Sequence, residues 1–274
     1  MSKQLTTALL LLICTFPIQG GEQPNRVVSI NLCTDQLLLM LADSSQIASV
    51  SYLAAESNSS FMAEQAQRHQ VNHEKIEELL NLKPNLILAS EYSNRTLIQL
   101  MQKLGHRVEI FPLPADIKGI QTNITRMAQL LKQEERGQQI IKQMNQRIDK
   151  IIKQQPAVRP KALFYQPNHY TSGRNTLQDT ALRVAGWRNL AAELGIEGYN
   201  PIDIEDLLMA DPEQLFTSPY APGSHSLAEQ QLSHPALQRV TTGRKMIEID
   251  YKYWICGGPM IADAIEQLHR SLPQ

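Results

Sequence analysis

Five tyrosines and a tryptophan stand where apolar runs give way to polar ones: Tyr52 after "IASVS", Tyr92 after "LILAS", Tyr170 after "LFYQPNH", Tyr199 before "IEDLL", and Tyr253 with Trp254 after "IEID". Each ring offers flat apolar contact with a polar handle, which suits a large conjugated or macrocyclic ligand. Arg174, in "TSGRN", adds a guanidinium fork of the kind that meets a carboxylate or phosphate on such a ligand. His69, His73 and Glu74 have the spacing of metal ligands on one helical face, but no third matched histidine is near, so a bound free zinc ion is the weaker reading. Ser29, Ser51 and the scattered histidines lack a Gly-x-Ser-x-Gly or comparable setting, so the residues point away from an enzyme and call for no cofactor.

The elements that position these residues begin after a leader. Residues 1–21 show a lysine near the start, a short apolar run and then small residues, the layout of a secretory signal peptide; Ile13 before Cys14 argues against a lipid anchor. The apolar run is too short to span a bilayer, so a periplasmic protein is expected. The 274 residues carry a net charge of -1 and no long basic run, which argues against a nucleic-acid surface.

From "RVVSI" onward, short apolar strands alternate with helical spacings: "NLILAS" is a fully apolar strand, "TLIQLMQKLG" a helix closed by Gly105, and "RVEIF" the next strand. Such alternation means βαβ units and parallel sheets. Between Ile117 and Gln155 the spacing is helical throughout, with a long run from Glu134 able to bridge two lobes. The alternation then resumes with "KALFYQ" and ends in the helix "MIADAIEQLHRSL". The chain also repeats itself: "IEELLNLKPNLILAS" at Ile76 and "IEDLLMADPEQLFTS" at Ile204 align at an offset of 128 residues (204 minus 76), with Pro84 on Pro212. The fold class is therefore α/β, two similar three-layer lobes with parallel sheets joined by a long rigid helix. The divisions are 22–115 for the first lobe, 116–156 for the linking helices and 157–274 for the second lobe.

Those stretches, with "RVVSINLCTDQLL", "YTSGRNTLQDTALRVAGWRNLA" and "GGPMIADAIEQL", give the chain a resemblance to the periplasmic substrate-binding proteins of ABC importers for cobalamin and iron-siderophore complexes. The resemblance covers essentially the whole chain after the leader. It implies a cleft between the lobes, a metal chelate as transported ligand, no catalysis, and a monomer that docks on an ABC permease dimer with a cytoplasmic ATPase. It places Tyr170 and Tyr199 at ring-contacting positions and gives Glu77 and Glu205 the permease-docking role. Where the cobalamin binder has first-lobe tryptophans, this chain has Val71 and Ser90. A ligand sensor or scaffold on the same two-lobe body is the alternative. Cys33 and Cys256 follow strands of different lobes and are expected as free thiols at the cleft rim, a bridge locking the lobes being the other possibility.

Overall fold

The computed structural model describes residues 23–219, Leu237 and 246–273; the leader lies outside the described residues. The first lobe runs β1 (Val27–Ser29), α1 (Leu32–Leu41), β2 (Ile47–Ser51), α2 (Ala63–Ala66), β3 (Val71–Asn72), α3 (Ile76–Leu82), β4 (Leu86–Ser90), α4 (Arg95–Lys103) and β5 (Val108–Phe111). Its five strands form a parallel sheet in the order β3-β2-β1-β4-β5.

The central strands are buried on both faces, and successive residues part between two cores. Val27, Leu86 and Leu88 pack with α1, while Val28, Ile87 and Ala89 pack with Leu79 and Leu82 of α3 and Leu97, Ile98 and Met101 of α4. Side chains alternate across a strand, so an unbroken apolar run becomes the middle of three layers. Helix starts are set by caps: Asn31 accepts from the Cys33 N–H at 2.9 Å, and Asn94 from the N–H groups of Thr96 and Leu97.

Two helices follow, α5 (Ile117–Leu131) and α6 (Glu134–Ile152). At 1.5 Å per residue α6 is roughly 28 Å long, one turn shorter than the apolar spacing suggests. Helix α5 buries Ile120, Ile124 and Met127 in the same core as α1, and α6 packs on α5 and on the helices of the second lobe. Arg147 of α6 ties it to the last helix through Asp263 and Glu266.

The second lobe contains β6 (Lys161–Phe164), β7 (Tyr170–Ser172), α7 (Leu177–Ala185), β8 (Arg188–Asn189), α8 (Leu190–Glu193), β9 (Tyr199–Pro201), α9 (Ile204–Ala210), β10 (Gln214–Thr217), β11 (Ile247–Glu248), α10 (Lys252–Ile255) and α11 (Ile261–Arg270). Its parallel sheet has the order β11-β10-β6-β8, and its layers mirror the first: Ala162, Phe164 and Phe216 face α7 and α11, whereas Leu163, Tyr165 and Leu215 face α8 and α9. The two-lobe, three-layer α/β fold read from the sequence is the fold observed. One element goes beyond it. Strands β7 and β9 form an antiparallel pair, with Tyr170 opposite Pro201 and Ser172 opposite Tyr199.

Two expectations need correction. Cys33 and Cys256 are joined as a disulfide, not free: the start of α1 and the loop after α10 bring their Cα atoms to 4.8 Å, inside the range a bridge requires. His69, His73 and Glu74 do not share a helical face, because β3 lies between the two histidines and Glu74 is in the left-handed region at φ 58°.

Candidate interlobe binding cavity

In open α/β sheets ligands meet the loops at the carboxyl ends of the strands. There, between the lobes, lies a cavity of about 380 Å³. Leu113, after β5, closes it from the first lobe. Gln166, Ser172 and Ser218 come from the ends of β6, β7 and β10, and Tyr251, Trp254 and Ile255 from the turn and helix after β11. Tyr199 enters from β9 and donates its hydroxyl to Gln178 Oε1 at 2.8 Å. Although about half of the Tyr199 surface is open, at 52% exposure, its phenol is pushed up to about 12. Burial is the main cause and the Tyr251 phenol the next, with Tyr92 adding to it from the first lobe; the bond to Gln178 acts the other way.

The polar lining is fixed from behind. Gln166 Oε1 accepts from the Ser218 N–H at 3.0 Å, and the Ser172 carbonyl accepts from Asn189 Nδ2 at 2.9 Å. Trp254 is buried, its ring set edge-on against Phe164 at 5.4 Å.

Of the aromatic residues singled out in the sequence, Tyr199 and Trp254 line the cavity, whereas Tyr92, 75% exposed, lies outside the lining. Tyr52 stacks on His73 at 5.5 Å, outside the lining. Tyr170 is exposed on strand β7, and Tyr253 packs on Phe61 while accepting from Gln267 at 2.9 Å. Arg174 lines a separate polar cavity of about 340 Å³ with Asp116, Asp179 and Arg183, of which Arg183 is paired to Asp179 at 3.1 Å. Glu77 and Glu205 are exposed in the first turns of α3 and α9, and neither makes an ion pair among the described residues. Among the same residues no group of three or more His, Cys, Asp or Glu could hold a metal ion. Tyr251 escaped notice because β11 stops at Glu248, earlier than "KMIEID" suggests, which brings the next aromatic residue into the lining.

A family model described as periplasmic binding protein matches residues 27–247. The chain belongs to the periplasmic binding protein family. A cobalamin-binding protein of Halobacterium salinarum is 22% identical over 243 residues, covering 84% of this chain and 66% of that protein. This periplasmic binding protein thus spans about two thirds of that relative's length. A vitamin B12-binding protein of Yersinia pestis is 26% identical over 216 residues, covering 77% of this chain and 74% of the relative. Among solved structures, a periplasmic heme-binding protein of Vibrio cholerae shares the fold with a TM-score of 0.76 at 21% identity, over 89% of this chain and 97% of the other. A periplasmic vitamin B12-binding protein of Vibrio cholerae does so with a TM-score of 0.66 at 22% identity, over 91% and 97%.

Proposed function

We propose that this periplasmic binding protein captures an intact metal chelate, a corrinoid such as cobalamin or an iron-siderophore complex, in the cleft between its lobes and delivers it to an ABC-type permease. The observation that carries this reading is the apolar interlobe cavity with Tyr199, Tyr251 and Trp254 in its lining and Leu113 of the first lobe against them. Flat ring contact with few polar groups suits a chelate that brings its own metal coordination. The relatives named for cobalamin and vitamin B12 support the same reading, as does the membership of a family of binding proteins. Export by the leader at residues 1–21 belongs to the proposal.

Docking rests on Glu77 and Glu205. They occupy the same place in equivalent helices, are exposed, and lie free of ion pairs among the described residues, so each can meet a cation on one permease subunit. A buried interprotein ion pair loses about 2 kcal/mol or more when one side is removed. One assay in vesicles carrying the cognate permease and ATPase tests both parts with cyanocobalamin, hemin and a ferric siderophore as probes. Tyr199→Ala should weaken binding of the accepted chelate by about 1–3 kcal/mol. The Glu77→Ala/Glu205→Ala variant should bind normally yet fail to drive uptake. A wild-type protein that binds none of the probes overturns the reading, and normal uptake with the double variant removes the docking role.

A further inference from the structure

One short stretch of the second lobe touches the first lobe or the cavity at every residue. Lys252 of α10 sets its Nζ over the Phe61 ring at 5.0 Å, and Tyr253 packs on the same ring at 4.9 Å. Trp254 and Ile255 then line the interlobe cavity. Cys256 is joined to Cys33, whose Sγ also lies 3.5 Å from the Ile255 carbonyl oxygen. Gly257 completes the run: it is left-handed at φ 59°, and a Cβ there would come within 2.5 Å of Pro114 Cγ. Glycine alone lets Pro114 of the first lobe close on the backbone at this point. The stretch is therefore held by the first lobe at both ends, with two lining residues of the cavity between. The two ends are unequal. Ring contacts at Phe61 are weak and reversible, whereas the bridge to Cys33 opens only by chemistry.

We propose that residues 252–257 form a strap that ties one wall of the binding cavity to the first lobe, and that the Cys33–Cys256 bridge is its lock, so that a dithiol switches the site from tight to weak binding. The proposal rests on the chelate-binding reading above and names its regulation. With the bridge closed, Trp254 and Ile255 cannot part from the first lobe, so the site is preorganised and no binding free energy goes into assembling it. With the bridge open, packing alone holds the wall, and affinity falls with the share of molecules in which the wall is assembled. The exchange balances with the dithiol as its one reagent. A thiolate of the dithiol attacks the sulfur of Cys33, the less buried of the two residues; the S–S bond breaks, and Cys256 leaves as a thiolate that takes a proton. The second thiol then displaces Cys33 from the mixed disulfide, which leaves two protein thiols and the dithiol in its oxidised, disulfide form.

The test compares oxidised wild type, wild type reduced with dithiothreitol and desalted without oxygen, and the Cys33→Ser/Cys256→Ser variant. Calorimetry uses whichever of cyanocobalamin, hemin and ferrichrome the oxidised protein binds. Both unbridged forms should bind about tenfold more weakly, as when the assembled wall drops to about a tenth of the population, and reoxidation should restore the wild type alone. Hydrogen exchange of the ligand-free forms should quicken over 252–257 and stay slow in β1 and β4, which shows the lock released in a folded protein. Phe61→Ala keeps the bridge and frees the other end, so it should weaken binding by about two- to tenfold. Unchanged affinity and exchange in the unbridged forms overturns the strap and leaves the chelate reading standing. A bridge that survives dithiothreitol in the native protein, by thiol counting, overturns the switch. Loss of slow exchange in β1 and β4 overturns it too, since the bridge would then hold the whole fold and not one wall. Binding of no probe by the oxidised protein removes the chelate reading, while exchange over 252–257 still decides the strap.

Discussion

The two lobes copy each other in backbone and differ in chemistry. Helices α3 and α9 each have seven residues and each end on a non-glycine residue in the left-handed region, Lys83 at φ 47°, ψ 56° and Asp211 at φ 51°, ψ 64°. Pro84 and Pro212 come next, and then the fully buried strands β4 and β10. At the strand ends the likeness stops. Where β9 presents Tyr199 to the cavity, the residue 128 positions earlier (199 minus 128) on β3 is Val71. The first helix of each lobe keeps a buried aspartate with unlike surroundings. Asp179 of α7 is paired with Arg183 and accepts from Asn189 Nδ2 at 3.0 Å; Asp35 of α1 has no cation partner among the described residues and accepts from the backbone N–H and the hydroxyl of Ser51. Duplication explains a shared frame, and the loops and helix starts that face the cleft are where the copies diverged.

The strongest way to break this comparison is to cut the bond that joins its halves. The Cys33–Cys256 bridge spans 223 residues, so it restrains the unfolded chain heavily. Replacing both cysteines by serine should cost roughly 2–5 kcal/mol in denaturant titrations. Thiol counting on the unreduced, denatured wild-type protein should find no reactive thiol at these two positions. Free thiols there, or undiminished stability without them, would show that the lobes are held by packing alone.

The two aspartates give the next largest effect. Burial drives the Asp35 carboxyl up to about 7 from 3.8, against the opposing hydrogen bonds of Ser29 and Ser51 and with Glu74 adding to the rise. Between those values the folded protein holds a proton that the unfolded chain has released. Stability therefore falls as pH rises across this window, by up to about 1.4 kcal/mol per pH unit, and levels off above the folded value. Asp35→Asn should flatten that slope. At Asp179 the same replacement removes the partner of Arg183 and should only destabilise. Unfolding midpoints from pH 4 to 8 decide it, and an unchanged slope in Asp35→Asn would mean that the carboxyl is hydrated in the folded state.

Much of this frame was legible because central strands write themselves as apolar runs: Val27–Ser29 and Leu86–Ser90 are buried throughout, and the repeat at Ile76 and Ile204 gave both lobes at once. The antiparallel β7–β9 pair was not. All three residues of β9 are exposed and one is a proline, so no alternation marks it, yet it is the element that sets Tyr199 opposite Ser172. The disulfide was hidden for another reason: sequence distance says nothing about Cα distance once two lobes fold back on one cleft. Of the aromatic residues, loop position alone found Tyr199 and Trp254 but could not separate them from Tyr52 and Tyr253, which pack on His73 and Phe61.

The smallest effect sharpens the comparison most, because it asks whether the shared turn is equally strained in both copies. A side chain in the left-handed region costs an L-residue roughly 1–2 kcal/mol, and glycine avoids that cost while losing about 0.5–1 kcal/mol of unfolded-chain entropy. Lys83→Gly should therefore stabilise the first lobe by somewhat under about 1 kcal/mol. Asp211→Gly occupies the same φ and ψ within a few degrees, so a purely backbone account predicts the same gain. Aspartate tolerates this region better than lysine, since its short polar side chain bonds locally to the backbone, which predicts a gain smaller by a few tenths of a kcal/mol. Both variants keep the following proline and both helices, and neither position lines the cavity, so chelate binding should not change. Equal gains in paired denaturation curves would place the strain in the backbone alone; a larger gain at Asp211 would mean that the two turns, alike in angle, are not alike in energy.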